Sequence, residues 1–162
     1  MATFKRQGPG IKVLEKALEN ISGMTTSVGW FPGAKYQDGT PVAYVATIQE
    51  YGSPMNGIPP RSFMRTTIAE KENEWAKLAR SGAKAIIAEN ASPKMVMTGL
   101  GLAASGDIRK KITEINSPPL KASTIAARKR KLSKGKEVGG LTKPLVESSL
   151  MLTTLTSTVE SS

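Results

Sequence analysis

The chain has 162 residues, a formal net charge of +10, 39% hydrophobic and 5% aromatic residues, and neither cysteine nor histidine. This length suits one domain around a single core, so residues 1–162 are read as one unit. Without thiols or imidazoles there can be no disulfides, thiolate nucleophiles, histidine bases or common zinc sites. The remaining carboxylates, lysines and hydroxyls form no recognisable acid–base or nucleophilic set, so no catalytic residue, cofactor or metal is expected.

No apolar run approaches the roughly 18 residues of a membrane span, and the first ten residues, MATFKRQGPG, lack a signal-peptide apolar core. These features predict a soluble chain made in a reducing cytoplasm. The charge is unevenly placed. Residues 1–108 carry 12 basic and 9 acidic groups, residues 109–136 carry 10 and 1, and residues 137–162 carry 1 and 3. Nearly all the excess lies in one segment.

In chain order, Gly8-Pro9-Gly10 argues for an irregular arm over residues 1–10. Ile11 to Ile21 reads as a short amphipathic helix closed by Gly23. Thr25 to Phe31, rich in β-branched and aromatic residues, predicts a strand, with Trp30 packed on a helix. A polar loop with an Asp38-Gly39 turn follows; its glycines lack P-loop spacing, which argues against nucleotide binding. From Val42 to Tyr51, apolar residues recur at helical spacing, and Gly52 with Pro54 ends that helix. Ile58-Pro59-Pro60 is a stiff extended run presenting Arg61, Phe63 and Arg65. Chemistry alone leaves two readings open there: Phe63 as a core residue with Arg61 as a solvated charge, or both as a docking surface.

A long helix to about Asn90 is expected next, with Met64, Ile68, Trp75, Leu78, Ala79, Gly82 and Ile86 on its inner face and Glu70, Glu72 and Glu74 solvated. Ser92-Pro93 opens a second helix to about Ile115, facing inward through Val96, Leu100, Ala103, Ala104, Ile108, Ile112 and Ile115. After Asn116-Ser117-Pro118-Pro119, residues 116–143 are expected to form a basic, partly mobile region with a short helix capped at Ser123-Thr124. Leu145 to Leu152 predicts a short helix, and Leu155 to Val159 a strand pairing with Val28 to Phe31. The expected fold is α+β: a small antiparallel sheet packed against two long helices, with a basic excursion before the last strand.

Two motif groups resemble the head-to-tail joining, or tail completion, proteins in the neck of long-tailed bacteriophages. The first is Ala46, Ile48, Glu50, Tyr51 and Gly52 followed by Ile58, Pro59, Arg61, Phe63, Met64 and Arg65; the second comprises Ile108, Ile112, Pro118 to Leu120, Ser123 to Ile125, Arg128, Lys129 and Lys143 to Leu145. Together they cover roughly residues 42–159. One departure is Ser148-Ser149, where family members often carry Thr-Gly.

The resemblance implies a structural virion protein, made in the host cytoplasm and built into a homo-oligomeric ring between the capsid connector and the tail terminator or tube, with the genome passing through the lumen. Ile58, Pro59, Arg61, Phe63 and Arg65 are the interface candidates. Arg109, Lys110, Lys111, Arg128, Lys129, Arg130, Lys131, Lys134 and Lys136 are the candidates for contact with DNA or an acidic partner. The other reading is a free, sequence-independent nucleic-acid-binding protein. The lack of aromatic residues in the basic segment argues against base stacking in either case.

Overall fold

The computed structural model describes residues 9–136, 138–146 and 149–161. Helix α1 (Pro9–Ile21) starts with proline at its first position, where a missing N–H costs nothing. Strand β1 (Met24–Gly29) follows, then α2 (Val42–Tyr51), a single 3-10 turn (Pro54–Asn56), α3 (Met64–Ile87), α4 (Pro93–Glu114), α5 (Ala122–Ser133), α6 (Leu150–Thr154) and β2 (Thr156–Ser161). Pro9 and Gly10 therefore belong to α1 and not to the expected arm, whose residues 1–8 lie outside the described residues.

The sheet is two-stranded and antiparallel. Met24 stands opposite Ser161, Val28 opposite Ser157 and Gly29 opposite Thr156. The expected pairing of the two strands holds, though β1 stops before Trp30 and Phe31. Just past the ladder the Trp30 ring meets Phe63 edge to face, with centroids 5.7 Å apart, and its Nε1 donates to the Met151 carbonyl at 2.9 Å.

One face of the sheet lies on α4. The Thr26 hydroxyl donates to the Met97 carbonyl at 3.1 Å, and the helix comes so close at Gly101 that a Cβ there would stand 2.7 Å from the Ser157 Cβ and 2.9 Å from the Thr26 Cγ2. Helix α3 packs along α4, approaching at Gly82, where a Cβ would run into the Val96 side chain. Polar contacts join the same pair: the Trp75 Nε1 donates to Asp107 at 2.8 Å, and Lys111 pairs with Glu70 at 2.6 Å. The core gathers Val42 and Ala46 of α2, Phe63, Ile108 and Ile112 of α4, Leu145, Met151 and Leu155.

The inner face of α3 departs from its expected periodicity. Thr67 and Ile86 are buried, whereas Ile68 and Leu78 stay 46% and 44% exposed. On α4, Gly101 and Ser105 lie buried beside Ile108 and Ile112, because small residues let the helix sit on the strands. The short helix expected in the basic stretch is the 12-residue α5 (Ala122–Ser133), but it starts earlier than expected: its N-cap is Lys121, with no side-chain cap, and Ser123 and Thr124 lie inside its first turn.

The glycines of α4 separate two effects. At Gly99 and Gly106 an added Cβ meets open space, so alanine there should stabilise by up to about 1 kcal/mol through helix propensity. Gly101→Ala should instead destabilise by roughly 1–3 kcal/mol, since the sheet would have to move. Urea melts of the three single variants test this ordering.

Candidate functional site

The interface candidates converge on one joint between α2 and α3, centred on a carboxylate. Helix α3 begins without help of its own: Phe63 at its N-cap has no accepting side chain, and its first turn holds no acidic residue. Its first N–H groups therefore need an acceptor from elsewhere. Glu50, near the end of α2, supplies it. The Glu50 Oε2 accepts from the backbone N–H of Phe63 at 2.8 Å and of Met64 at 2.9 Å, and its Oε1 accepts from the Arg65 N–H at 3.2 Å, the Ser62 hydroxyl at 2.6 Å and the Arg65 Nε at 3.0 Å.

Burial alone would raise the Glu50 pKa. The hydrogen bonds from Ser62, Met64 and Arg65 outweigh it and hold the carboxyl below its ordinary value.

Arg61 locks the joint from the other side. It is 5% exposed. Its Nε donates to the Pro118 carbonyl at 2.8 Å, Nη2 to the Pro119 carbonyl at 3.1 Å and Nη1 to the Gln49 side chain at 3.1 Å, while its backbone N–H donates to the Gln49 carbonyl at 2.7 Å. Burial first, and then the like charge of Arg128, lower its pKa.

Phe63 is wholly buried. Both residues therefore build the fold and are not presented for docking, and of the two readings left open by chemistry the core reading of Phe63 applies. The physical reason is that the acceptors lie on the inner side: Glu50 takes the Phe63 backbone N–H, and the Pro118 and Pro119 carbonyls take the Arg61 guanidinium. Ile58 and Pro59 are half-buried. Of the five candidates, Arg65 alone is largely exposed; its guanidinium lies 4.6 Å from the centre of the Tyr51 ring.

The basic candidates divide into two groups. Arg109 bonds to the carbonyls of Leu152, at 3.0 Å, and Leu155, fixing α6 and the start of β2 on α4. Lys111 is engaged with Glu70, and Lys110 lies 3.9 Å from Glu114. Arg128 is 3% exposed and donates to the carbonyls of Gly140 at 2.6 Å, Lys143 at 2.7 Å and Pro144 at 3.4 Å, so it anchors α5 to the loop that follows.

Arg128 is thus a buried structural clamp and not a partner-facing cation, while Arg109 clamps the chain after α6 and stays partly exposed. Lys129, Arg130, Lys131, Lys134 and Lys136 are exposed on or just after α5. Among the described residues, no group of three or more His, Cys, Asp or Glu side chains could hold a metal ion, and no helix is long and apolar enough to cross a membrane.

Sequence reasoning gave Glu50 no role of its own. The signal that could have found it is the bare start of α3, whose unmet donors call for a carboxylate carried by another element. Met55, the other residue missed, is 99% exposed at the tip of the 3-10 turn.

The joint gives a stability test with a definite sign. Because the folded pKa of Glu50 lies below its unfolded value, its contribution is present above about pH 4.5 and is lost as the pH falls through the folded pKa. Glu50→Gln should cost about 1–3 kcal/mol at neutral pH and flatten the acid branch of the stability profile by up to one proton. Phe63→Ala should cost about 3–5 kcal/mol, and Arg61→Ala should also lower the melting temperature. Denaturant titrations from pH 7 to pH 3 measure all three.

No family model, curated protein or solved structure matches the chain.

Proposed function

We propose that this chain is a structural subunit of a tailed-bacteriophage virion, forming a ring in the neck that joins the capsid connector to the tail. The reading rests on the two motif groups and on where their residues fall. Glu50, Gly52, Arg61, Phe63 and Arg65 of the first group make one joint; Pro118, Pro119, Arg128, Lys143 and Pro144 of the second form the carbonyl clamps beside it, and Leu145 joins the same core as Phe63. A motif spread over some hundred residues thus maps to one connected set of contacts.

The surface of the chain supports assembly. It amounts to 10932 Å², where a compact monomer of 17.2 kDa exposes about 7,800 Å². Allowing the twelve residues outside the description a full unfolded-chain area of about 150 Å² each, and removing their mass, still leaves roughly 1,700 Å² in excess. Each subunit of a ring covers two patches, of about 800 Å² apiece in a standard contact. In this reading binding is the mechanism, and no step of chemistry is involved. Mass measurement and electron-microscopy class averages of the purified protein, alone and with particles lacking it, test the reading. A closed ring that restores head–tail joining is expected; a monomer at every concentration that fails to restore joining would overturn it.

A second reading, contact with nucleic acid, is favoured by α5. Residues 115–136 contain no acidic side chain, and the helix turns Lys129, Arg130 and Lys131 outward, with Lys134 and Lys136 just beyond. A field of this kind suits a phosphate backbone irrespective of sequence. In a ring it would face the genome in the lumen or an acidic surface of a neighbour. Changing Lys129, Arg130, Lys134 and Lys136 to Glu should leave folding intact, because none of them is buried. If they face DNA, affinity for duplex DNA should fall and the slope of log K against log salt should shrink by about 0.9 for each phosphate that is no longer neutralised. An unchanged slope would leave α5 to a protein neighbour.

A further inference from the structure

The turn between α2 and α3 holds one apolar side chain entirely in solvent. Met55 sits in the middle of Pro54–Asn56 and is 99% exposed. Its support is rigid. Ser53 and Ile58 bridge the base, the Ser53 N–H donating to the Ile58 carbonyl at 2.8 Å and the Ile58 N–H to the Ser53 carbonyl at 3.0 Å. The Asn56 side chain donates to the Ser53 hydroxyl at 2.9 Å, and Gly57 closes the turn in the left-handed region at φ 59°. Below it, Gly52 at φ 78° lies so near the Pro60 nitrogen and the Ile58 carbonyl that a Cβ would come within 2.8 and 2.9 Å of them. A thioether on such a stalk gives up only its own rotamer freedom on docking.

Elsewhere on the surface runs an apolar groove of about 300 Å³. Thr26 and Val28 of β1 form one wall, Ile68 and Trp75 of α3 the other, and Leu100 and Ile108 of α4 the floor. Ile68 explains itself here: it belongs to the apolar periodicity of α3, yet among the described residues none covers it, and it remains 46% exposed at the rim. Met55 cannot be that cover in its own copy, since its stalk holds it fully in solvent.

We propose that Met55 of one copy seats in the β1–α3 groove of the next copy, as the centre of a head-to-tail contact. This inference rests on the ring reading above and names the two patches that reading requires. The knob and the groove are different surfaces of the same chain, so the contact is heterologous: each copy offers one of each, and repetition closes a ring or runs on as a filament according to the rotation. The uncovered area of roughly 1,700 Å² is what two standard contacts would take up. The chemistry is complementary on both sides, an unbranched thioether that adapts its shape meeting aliphatic walls and the indole of Trp75.

The absence of cysteine from the chain makes the test clean. Met55→Cys and Ile68→Cys are made as separate proteins, mixed at the concentration where light scattering shows assembly, and treated with a short bismaleimide. Covalent dimer that forms in the mixture, and far less in either variant alone, is the expected result. Met55→Asp should lower the assembled fraction at least tenfold with the melting temperature of the monomer unchanged. Assembly that persists in Met55→Asp, or an assembled mixture that yields no covalent dimer, would overturn this contact while leaving the ring reading standing. Protein that stays monomeric throughout and fails to restore head–tail joining would overturn both.

Discussion

A single carboxylate sets the geometry of this molecule. Glu50 ends one helix and begins another, accepting hydrogen bonds from three successive backbone N–H groups together with Ser62 and Arg65. Bonds to a charged acceptor at a helix N-terminus are stronger than neutral ones and gain from the helix dipole. Once the start of α3 is fixed, Phe63 has its place. Trp30 then packs on Phe63 and reaches Met151 just ahead of β2. The chain of dependence runs from one side chain on α2 to the last strand.

The outline of the fold was legible in the sequence because it rests on local signals. Proline at Pro93, the serine cap at Ser92, the glycine stop at Gly52 and the β-branched run from Thr25 each act within a few residues. The Ser92 hydroxyl does accept from the Met95 N–H, at 3.2 Å. The roles of Arg61 and Phe63 were not legible from chemistry alone. A proline-stiffened segment can present its side chains outward or inward, and the choice depends on acceptors distant in sequence: Glu50 and Gln49 on one side, Pro118 and Pro119 on the other. Charge counting likewise treated Arg109, Arg128 and the α5 lysines alike, because the clustering of cations does not reveal which of them will find carbonyl oxygens.

That sorting follows side-chain chemistry. Arg61, Arg109 and Arg128 each bind several backbone carbonyls, a task suited to the planar, multiply donating guanidinium. Lysines, with a compact and strongly hydrated ammonium, stay at the surface of α5. Carbonyls carry no net charge, so the buried guanidinium charges are not cancelled where they lie and still add to the field outside. The protein is therefore more uniformly positive than its exposed side chains suggest.

The sheet carries a consequence for how the molecule comes into being. Strand β2 pairs with a strand some 130 residues earlier, Val28 standing opposite Ser157, whereas α3 and α4 are neighbours in the chain and can pair through nearby contacts. Long-range strand pairing closes slowly and late compared with a helical hairpin. During synthesis β1 must wait, its edge unpaired, until nearly the whole of the intervening chain has left the ribosome. A helical intermediate with an open strand and an unfinished core would then precede the native state, and such species are the ones most prone to aggregate. The rate of closing those six residue pairs therefore sets how long that aggregation-prone species persists.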